Sequence, residues 1–357
     1  IIHGGPFANI AQGTNSVIAT RMGMTLSDYT VTEAGFGADL GAEKFLNIKC
    51  QSAGLAPKAV VITTTIRALK YHGGADLNTL TEPNVEALKK GIPNLEKHLE
   101  NVKQFNIVPV IAINKFVSDT EEEIEAIQEF AKSNNVRFAI ADIWAKGGKG
   151  ALDLAQQVVE IVESGESNFK ALYDWELGVK EKIETIATKI YGASQIDYTA
   201  LALKNLRTIA GLSLEGLPIC MAKTQKSLSD NPKLIGRPTG FTITIREIEI
   251  AAGAKFIIPM LGVMMRMPGL PAKPASENMS IDDQVVPMAS GIELYKVTPP
   301  PRVLQLTRGA HVETFSQPTW REVMLLYLQD PAGFSGLRQR TWSQPMPHTQ
   351  CTSPNTW

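Results

Sequence analysis

A glycine-rich, polar segment opens the chain and contains the first residues that could do chemistry. His3, Gly4, Gly5 and Asn9 all fall within it. Glycine lets the backbone approach a ligand closely because it has no Cβ. Asparagine can cap an element or line a pocket. We therefore predict that Gly4, Gly5 and Asn9 contact a bound ligand, whereas His3 is either a catalytic or a structural histidine.

A second glycine-containing segment, residues 32–39, supplies two carboxylates, Glu33 and Asp39. Carboxylate oxygens are ligands for Mg²⁺, and a bound cation stabilises negative charge on a phosphoryl oxygen. The segment predicts a loop in which Glu33 and Asp39 act as catalytic and metal-binding residues. A solvated turn is the alternative interpretation.

Two aromatic residues stand where they could stack on a flat ligand. Phe116 follows an apolar run, and Trp144 shortly precedes Gly147 and Gly148. A flat heterocycle gains stacking energy between aromatic rings. A tryptophan in a glycine-containing loop has no helix core to enter, which favours a functional role for Trp144. For Phe116 an ordinary core position remains the alternative.

Three further patterns concern phosphates and nucleotides. Lys223 follows the apolar run 217–222, so we predict a strand that ends in a lysine able to meet a phosphate, with a surface charge as the alternative. The run 147–150, Gly-Gly-Lys-Gly, lacks the hydroxyl residue that follows the lysine of a P-loop. Residues 114–119 differ from the guanine-specifying NKxD motif, because Asp119 comes two positions late. A GTPase is therefore not favoured.

The elements that must position these residues follow an alternation of strands and helices. The β-branched runs 59–63 and 108–113 predict buried parallel strands, and the apolar stripe of residues 84–104 predicts the helix between them. This is a βαβ unit. The pattern continues with predicted helices at 120–134, 152–163 and 177–190 and predicted strands at 138–143, 242–250 and 255–261.

Composition excludes several classes of protein. The 357 residues include 35 basic and 36 acidic side chains, and a net charge of −1 does not favour nucleic acid or an anionic membrane as partner. No apolar run reaches the roughly 18 residues needed to span a bilayer. The three cysteines lack the spacing of a disulfide framework or a zinc site, which favours a reducing, cytoplasmic compartment.

Several stretches together resemble the formate–tetrahydrofolate ligases (10-formyltetrahydrofolate synthetases). The opening string HGGPFANIAQGTNS is similar to the family signature HGGPFANIAHGCNS, from which Gln12 and Thr14 depart. The similarity continues through residues 32–49, 108–116, 144–150, 217–230 and 267–271 and ends near residue 286. We therefore expect a member of this family.

The resemblance implies an α/β fold in which helices flank a parallel sheet. It implies an incomplete P-loop NTPase-like nucleotide domain, a second α/β domain and an irregular C-terminal tail. We place these at residues 1–109, 110–287 and 288–357, and we expect the last of them to be poorly ordered because it lacks a periodic apolar face.

The resemblance also implies a reaction and its ligands. Formate is joined to tetrahydrofolate through formyl phosphate, with ATP and Mg²⁺, and the implied partners are these small molecules and further copies of the chain. Phe116 and Trp144 would sandwich the pterin, Gly147 and Gly148 would form the loop beside it, and Lys223 would meet a phosphate or a folate glutamate tail. The compartment would be cytoplasmic, or mitochondrial if a signal precedes the chain.

One departure from the family leaves a second hypothesis open. The family's phosphate-binding sequence GxxxxGK[ST] is absent, which suggests a chain that begins in mid-protein. The alternative is a catalytically inactive protein that acts only in folate binding or subunit interaction.

Overall fold

The computed structural model describes residue 8, residues 10–262 and the backbone of three short strands at 279–281, 287–289 and 322–327. His3, Gly4, Gly5 and Asn9 lie outside the described residues. The chain forms two compact units, one of residues 1–266 with 319–331 and one of residues 267–318 with 332–357. Within the described part of the chain, no helix combines the length and apolarity needed to cross a membrane.

The strands of the described residues form three sheets. Their bounds are β1 Thr30–Ala34, β2 Ala59–Thr64, β3 Pro109–Asn114, β4 Arg137–Ala141, β5 Gln195–Tyr198, β6 Thr242–Ala251, β7 Phe256–Leu261, β8 Met279–Ile281, β9 Pro287–Ala289 and β10 Glu322–Tyr327. The largest sheet is parallel throughout, in the order β1-β10-β2-β3-β4. In the second sheet β5 pairs with β6 in parallel and β6 with β7 antiparallel. Strands β8 and β9, in the other unit, form an antiparallel pair.

Helices connect the strands. Their bounds are α1 Val17–Leu26, α2 Gln51–Ala53, α3 Ile66–His72, α4 Val85–Lys103, α5 Glu121–Ser133, α6 Ile143–Lys146, α7 Leu152–Ser164, α8 Val179–Thr185 and α9 Ala200–Gly211. Wider π-helical turns occur at Ala38–Ala42, Phe45–Cys50 and Ile186–Tyr191, and tighter 3-10 turns at Leu77–Thr79 and Gly147–Ala151.

Strand β2 shows why helices cover both faces of the large sheet. Val60 and Ile62 belong to the core that includes α3, α4 and α5, whereas Ala59 and Val61 pack with residues of α7. Successive side chains of a strand point to opposite faces, so a strand buried on both sides is apolar throughout. The predicted α/β fold with a parallel sheet flanked by helices is confirmed.

Helices α3 and α4 cross at a point where both carry glycine. A Cβ at Gly73 would lie 1.7 Å from the carbonyl oxygen of Ala87, and one at Gly91 would lie 1.8 Å from that of Leu69. These distances are far below any contact that a carbon atom tolerates. The two backbones therefore touch only because neither glycine has a side chain.

The segment that carries the two predicted carboxylates is not the expected loop. Glu33 lies in β1, where Thr32 and Ala34 are buried and Glu33 is exposed. Asp39 lies in the π-helical turn Ala38–Ala42, and it is buried. The predicted loop is wrong because the β-branched residues before Glu33 extend into a strand of the parallel sheet.

The expected domain boundaries stay predictions. The boundary that we placed after residue 109 falls within β3, which pairs directly with β2. Most of the tail 288–357 lies outside the described residues, so its expected poor order is untested. Strand β10 lies in this tail, and its backbone pairs with β1 on one side and β2 on the other.

Candidate functional site

The carboxyl ends of β2, β3 and β4 lie side by side, and polar or aromatic residues follow each of them. Thr64 of β2 is in register with Ile113 of β3, and Asn114 of β3 with Ala141 of β4. In parallel α/β sheets, ligands bind in the crevice outside this edge. The segments that follow the strands contain Arg67, Phe116 and Trp144, respectively. We call this group the edge platform.

Trp144 of the edge platform is held out into solvent. It lies in the short helix α6 and is 76% exposed. The loop beneath it is closed by a backbone hydrogen bond from Asp142 N to Gly150 O (3.0 Å) and by the ion pair of Lys146 with Asp142 (2.9 Å). Gly150 must be glycine, because a Cβ there would lie 2.1 Å from the Asp142 carbonyl oxygen. The loop is thus built to present the indole, not to bury it.

Glycines 147 and 148 of this loop face open space. Gly147 adopts a positive φ of 59°, which favours glycine, and no atom lies within 4 Å of a Cβ built at either position. Both begin the 3-10 turn Gly147–Ala151. The space beside them is available to a ligand, which agrees with their predicted place in the site.

Phe116 lies in a firmly held turn after β3. The carboxylate of Asp119 accepts a hydrogen bond from the Phe116 backbone N–H (2.8 Å), and the Asp119 N–H donates to the Phe116 carbonyl (3.1 Å). Burial raises the pKa of Asp119. Phe116 is half-buried, and the Arg67 guanidinium carbon lies 4.4 Å from its ring centroid. The ring is therefore not an ordinary core aromatic.

Two further exposed apolar residues stand next to the aromatic residues of the edge platform. Val117 is 88% exposed and Ile143 is 50% exposed, and each is a direct neighbour in sequence of Phe116 or Trp144. Single exposed apolar side chains are common on protein surfaces, so these two mark a site only together with the aromatic residues beside them. The sequence analysis missed Arg67, Val117 and Ile143. Their position directly after parallel strands was the available signal.

Asp39 and Lys223, which are far apart in the sequence, form a buried ion pair. Lys223 Nζ lies 2.7 Å from Asp39 Oδ2, and both side chains are almost fully buried. Lys223 also donates to the Thr224 carbonyl (3.0 Å) and to the Ser227 carbonyl, and its ammonium lies 5.0 Å from the Tyr191 ring centroid. The ammonium therefore has three oxygen acceptors, one from the Asp39 carboxylate and two from backbone carbonyls. Lys223 is not a surface charge.

The pKa of Asp39 reflects this pairing. Burial alone would raise it, but the charge of Lys223, assisted by its hydrogen bond, lowers the pKa below its ordinary value. A carboxylate that already bonds an ammonium at this distance is a poor ligand for a second cation. Glu33, its predicted companion, is exposed on β1. Among the described residues no group of three or more His, Cys, Asp and Glu side chains could hold a metal. The metal-binding role of Glu33 and Asp39 stays a prediction, and the pairing of Asp39 with Lys223 argues against it.

Two neutral histidines lie near this pair. His98 Nδ1 accepts a hydrogen bond from the Ala38 N–H (3.2 Å), and His72 Nδ1 accepts one from the Gly236 N–H (3.1 Å). Burial lowers the pKa of each to about 4. Because both Nδ1 atoms are acceptors, both rings carry their proton on Nε2. With Gly37 and Asp39 they line a cavity of about 20 Å³, room for a single water molecule.

Glu43 and Lys44, one turn beyond Asp39, are also fully buried. Burial raises the pKa of Glu43 to about 7 and lowers that of Lys44. Asn47 donates to Glu43 Oε1 (2.9 Å), while Glu43 Oε2 has no hydrogen-bond partner. Lys44 donates to the Ala8 carbonyl. We call Asp39, Glu43, Lys44, His98 and Lys223 the buried charge cluster.

A larger cleft lies at the opposite, amino edge of the sheet. It measures about 670 Å³, and its lining includes Lys103, Lys132 and Arg137. Lys103 and Lys132 occupy the last turns of α4 and α5, where positive charge offsets the helix dipoles. Arg137 pairs with Glu160 at 2.5 Å. These charges have structural partners, so we do not place the site there.

Together these features define a parallel α/β protein with aromatic side chains in the segments that follow the carboxyl ends of its strands. The family model for formate–tetrahydrofolate ligase matches residues 1–291, and the chain belongs to this family. The family consists of carbon–nitrogen ligases of one-carbon metabolism that use ATP and tetrahydrofolate. The predicted family is confirmed. The individual roles of the site residues stay predictions.

Proposed function

We propose that this chain serves in the ATP-dependent joining of formate to tetrahydrofolate. A formate oxygen attacks the terminal phosphorus of ATP, ADP leaves, and formyl phosphate results. N10 of tetrahydrofolate then attacks the formyl carbon, phosphate leaves, and N10 loses its proton to give 10-formyltetrahydrofolate. Family membership supports this reaction.

The edge platform is the observation that carries the proposal for this chain's own residues. Trp144 exposes its ring, and the half-buried Phe116 stands on the neighbouring loop after the adjacent strand. Two aromatic side chains there suit a flat heterocycle such as the pterin, which each would contact by stacking. Gly147 and Gly148 leave room beside it. Binding would fix the pterin and so limit the positions that N10 can take.

The nucleotide part of the proposal rests on the family. We propose that residues 1–109 belong to a P-loop NTPase-like nucleotide domain and residues 110–287 to a second α/β domain, with ATP and Mg²⁺ used by the assembled enzyme. We propose no step through Mg²⁺ on Glu33 or Asp39, because Asp39 is already paired with Lys223. We further propose a homo-oligomer in the cytoplasm.

The second candidate is folate binding or subunit interaction without catalysis. The observation that favours it is the absence of the sequence GxxxxGK[ST] from these 357 residues. Backbone amides of that loop cradle the phosphates in P-loop enzymes. Such a protein would bind tetrahydrofolate without turning over formate and ATP.

Calorimetric titration of the chain with tetrahydrofolate, and separately with Mg·ATP, tests both candidates. The variant is Phe116→Ala, and the control is Leu26→Ala, which removes an exposed apolar side chain from α1. We expect saturable folate binding that Phe116→Ala weakens and Leu26→Ala does not. Ligase activity with Mg·ATP binding would favour the first candidate, and folate binding alone the second. Equal folate affinity in all three proteins would refute the edge platform.

A further inference from the structure

Arg67 makes two contacts with the loop that carries Phe116. It lies in the first turn of α3, directly after β2. Its guanidinium carbon is 4.4 Å from the Phe116 ring centroid, and its Nη2 donates to Ser118 Oγ (3.3 Å). A guanidinium over an aromatic face is attracted by the electron density of the ring. The side chain therefore covers one face of Phe116.

Arg67 faces the Phe116 loop, and its positive charge also favours the ionised form of Asp119 in that loop. Among the described residues no carboxylate forms an ion pair with it within 4 Å. Its Nε is buried and has no hydrogen-bond partner. A buried donor without a partner reduces stability. The close contacts of its guanidinium are thus with the ring of Phe116 and the hydroxyl of Ser118.

The scaffold around this contact is rigid on both sides. Lys70, three residues further along the same face of α3, forms a buried ion pair with Glu123 of α5 (2.9 Å). On the other side, Asp119 holds the Phe116 backbone. Helix α3 and the Phe116 turn are thus fixed relative to each other. The guanidinium can hold the ring in one orientation.

We propose that Arg67 is a positioning residue for folate, which acts by holding the Phe116 ring so that its other face receives the pterin. This inference rests on the proposed function, because it requires that Phe116 stacks on the ligand. It names a residue that acts through Phe116 and needs no contact with the substrate. Its effect should therefore vanish when Phe116 is removed.

A double-mutant cycle on the full chain tests the inference. Tetrahydrofolate affinity is measured by calorimetry for the parent, Arg67→Met, Phe116→Ala and the double variant, with thermal melting of each. Arg67→Lys tests rescue by a retained cation, and Arg137→Met removes an arginine from the opposite edge of the sheet as a control. We expect Arg67→Met to weaken folate binding about fivefold, the size of a moderate cation–π contact.

The remaining arms separate positioning from other effects. We expect Arg67→Lys to regain part of the affinity, Arg137→Met to match the parent, and the double variant to match Phe116→Ala. The inference fails if Arg67→Met binds like the parent, if Arg67→Lys is no better than Arg67→Met, or if the two losses simply add. If Phe116→Ala itself keeps the parent affinity, the proposed folate platform fails. A loss with Phe116→Ala but none with Arg67→Met overturns only the role of Arg67.

Discussion

The edge platform and the buried charge cluster differ in how they place side chains: the platform exposes an apolar ring to water, whereas the cluster buries charged groups. The platform leaves Trp144 in water, where a large apolar ring has no partner of its own. The cluster takes Asp39 and Lys223 out of water and satisfies each with the other. An exposed aromatic residue gains most when a ligand arrives, whereas a paired buried charge is already satisfied. We therefore propose that the platform binds ligand and that the cluster stabilises the fold.

The largest expected effect is on the free energy of unfolding and concerns the buried charge cluster. Lys223→Met removes one partner of the buried pair and leaves the Asp39 carboxylate without its cation. We expect the free energy of unfolding to fall by about 3 to 5 kcal/mol, as is usual when one partner of a buried pair is lost. Urea denaturation followed by circular dichroism measures it. Lys90→Met, at the exposed Lys90–Glu86 pair, is the control and should leave stability unchanged.

A nearly unchanged stability for Lys223→Met would contradict the assignment of this lysine to the fold. In that case its predicted role toward a phosphate would regain support, and phosphate-ligand affinity would be the next quantity to compare.

The next effect concerns Glu43 and pH. Burial raises its pKa in the folded chain from 4.5 to about 7, so the folded state holds a proton that the unfolded state has released. The contribution of the Glu43 carboxyl to the free energy of unfolding is fully present below pH 4.5 and is lost as the pH rises through about 7. We expect Glu43→Gln to remove a decline of about 2 kcal/mol between pH 5 and pH 8.

The measurement compares unfolding free energies of the parent and Glu43→Gln at both pH values. His72 and His98, whose pKa values are lowered, change stability in the opposite direction as pH rises. Their contribution is present in both proteins and cancels in the difference. Parallel pH profiles for the two proteins would show that Glu43 ionises normally.

The smallest expected effect on stability concerns the edge platform, where a substitution should change ligand affinity instead. Trp144→Ala should raise the dissociation constant for tetrahydrofolate at least about tenfold, because stacking on the indole is lost. Its melting temperature should match that of the parent, since an exposed side chain contributes little to folding. Calorimetry and circular dichroism measure the two quantities. A lower melting temperature with unchanged folate affinity would reverse the assignment.

Part of the edge platform could be predicted from the sequence because the residues that indicate it are close together in the chain. The glycines that shortly follow Trp144 already favour a functional tryptophan there, whereas the sequence alone leaves Phe116 between a ligand contact and an ordinary core position. The strands β2 and β3 followed from their β-branched runs for the same reason.

The cluster could not be predicted because its pairing joins distant parts of the chain. Asp39 and Lys223 carry no local signal of each other, so one was interpreted as a metal ligand and the other as a phosphate contact. The glycines near Glu33 predict a loop, but the threonines and the valine that precede it favour a strand, and they form β1. Arg67 was missed because a lone arginine after a strand is ambiguous without the ring above which it lies.

The bare crossing of α3 and α4 gives the molecule a vulnerability far from any ligand. Gly73 and Gly91 set how closely the helix that carries Arg67 approaches its neighbour, since any side chain at either would meet backbone atoms. An alanine at one of them would force the two backbones apart, and a shift of α3 would move Arg67 relative to Phe116. On the proposed function, a substitution at either glycine would then weaken folate binding, although neither glycine belongs to the edge platform.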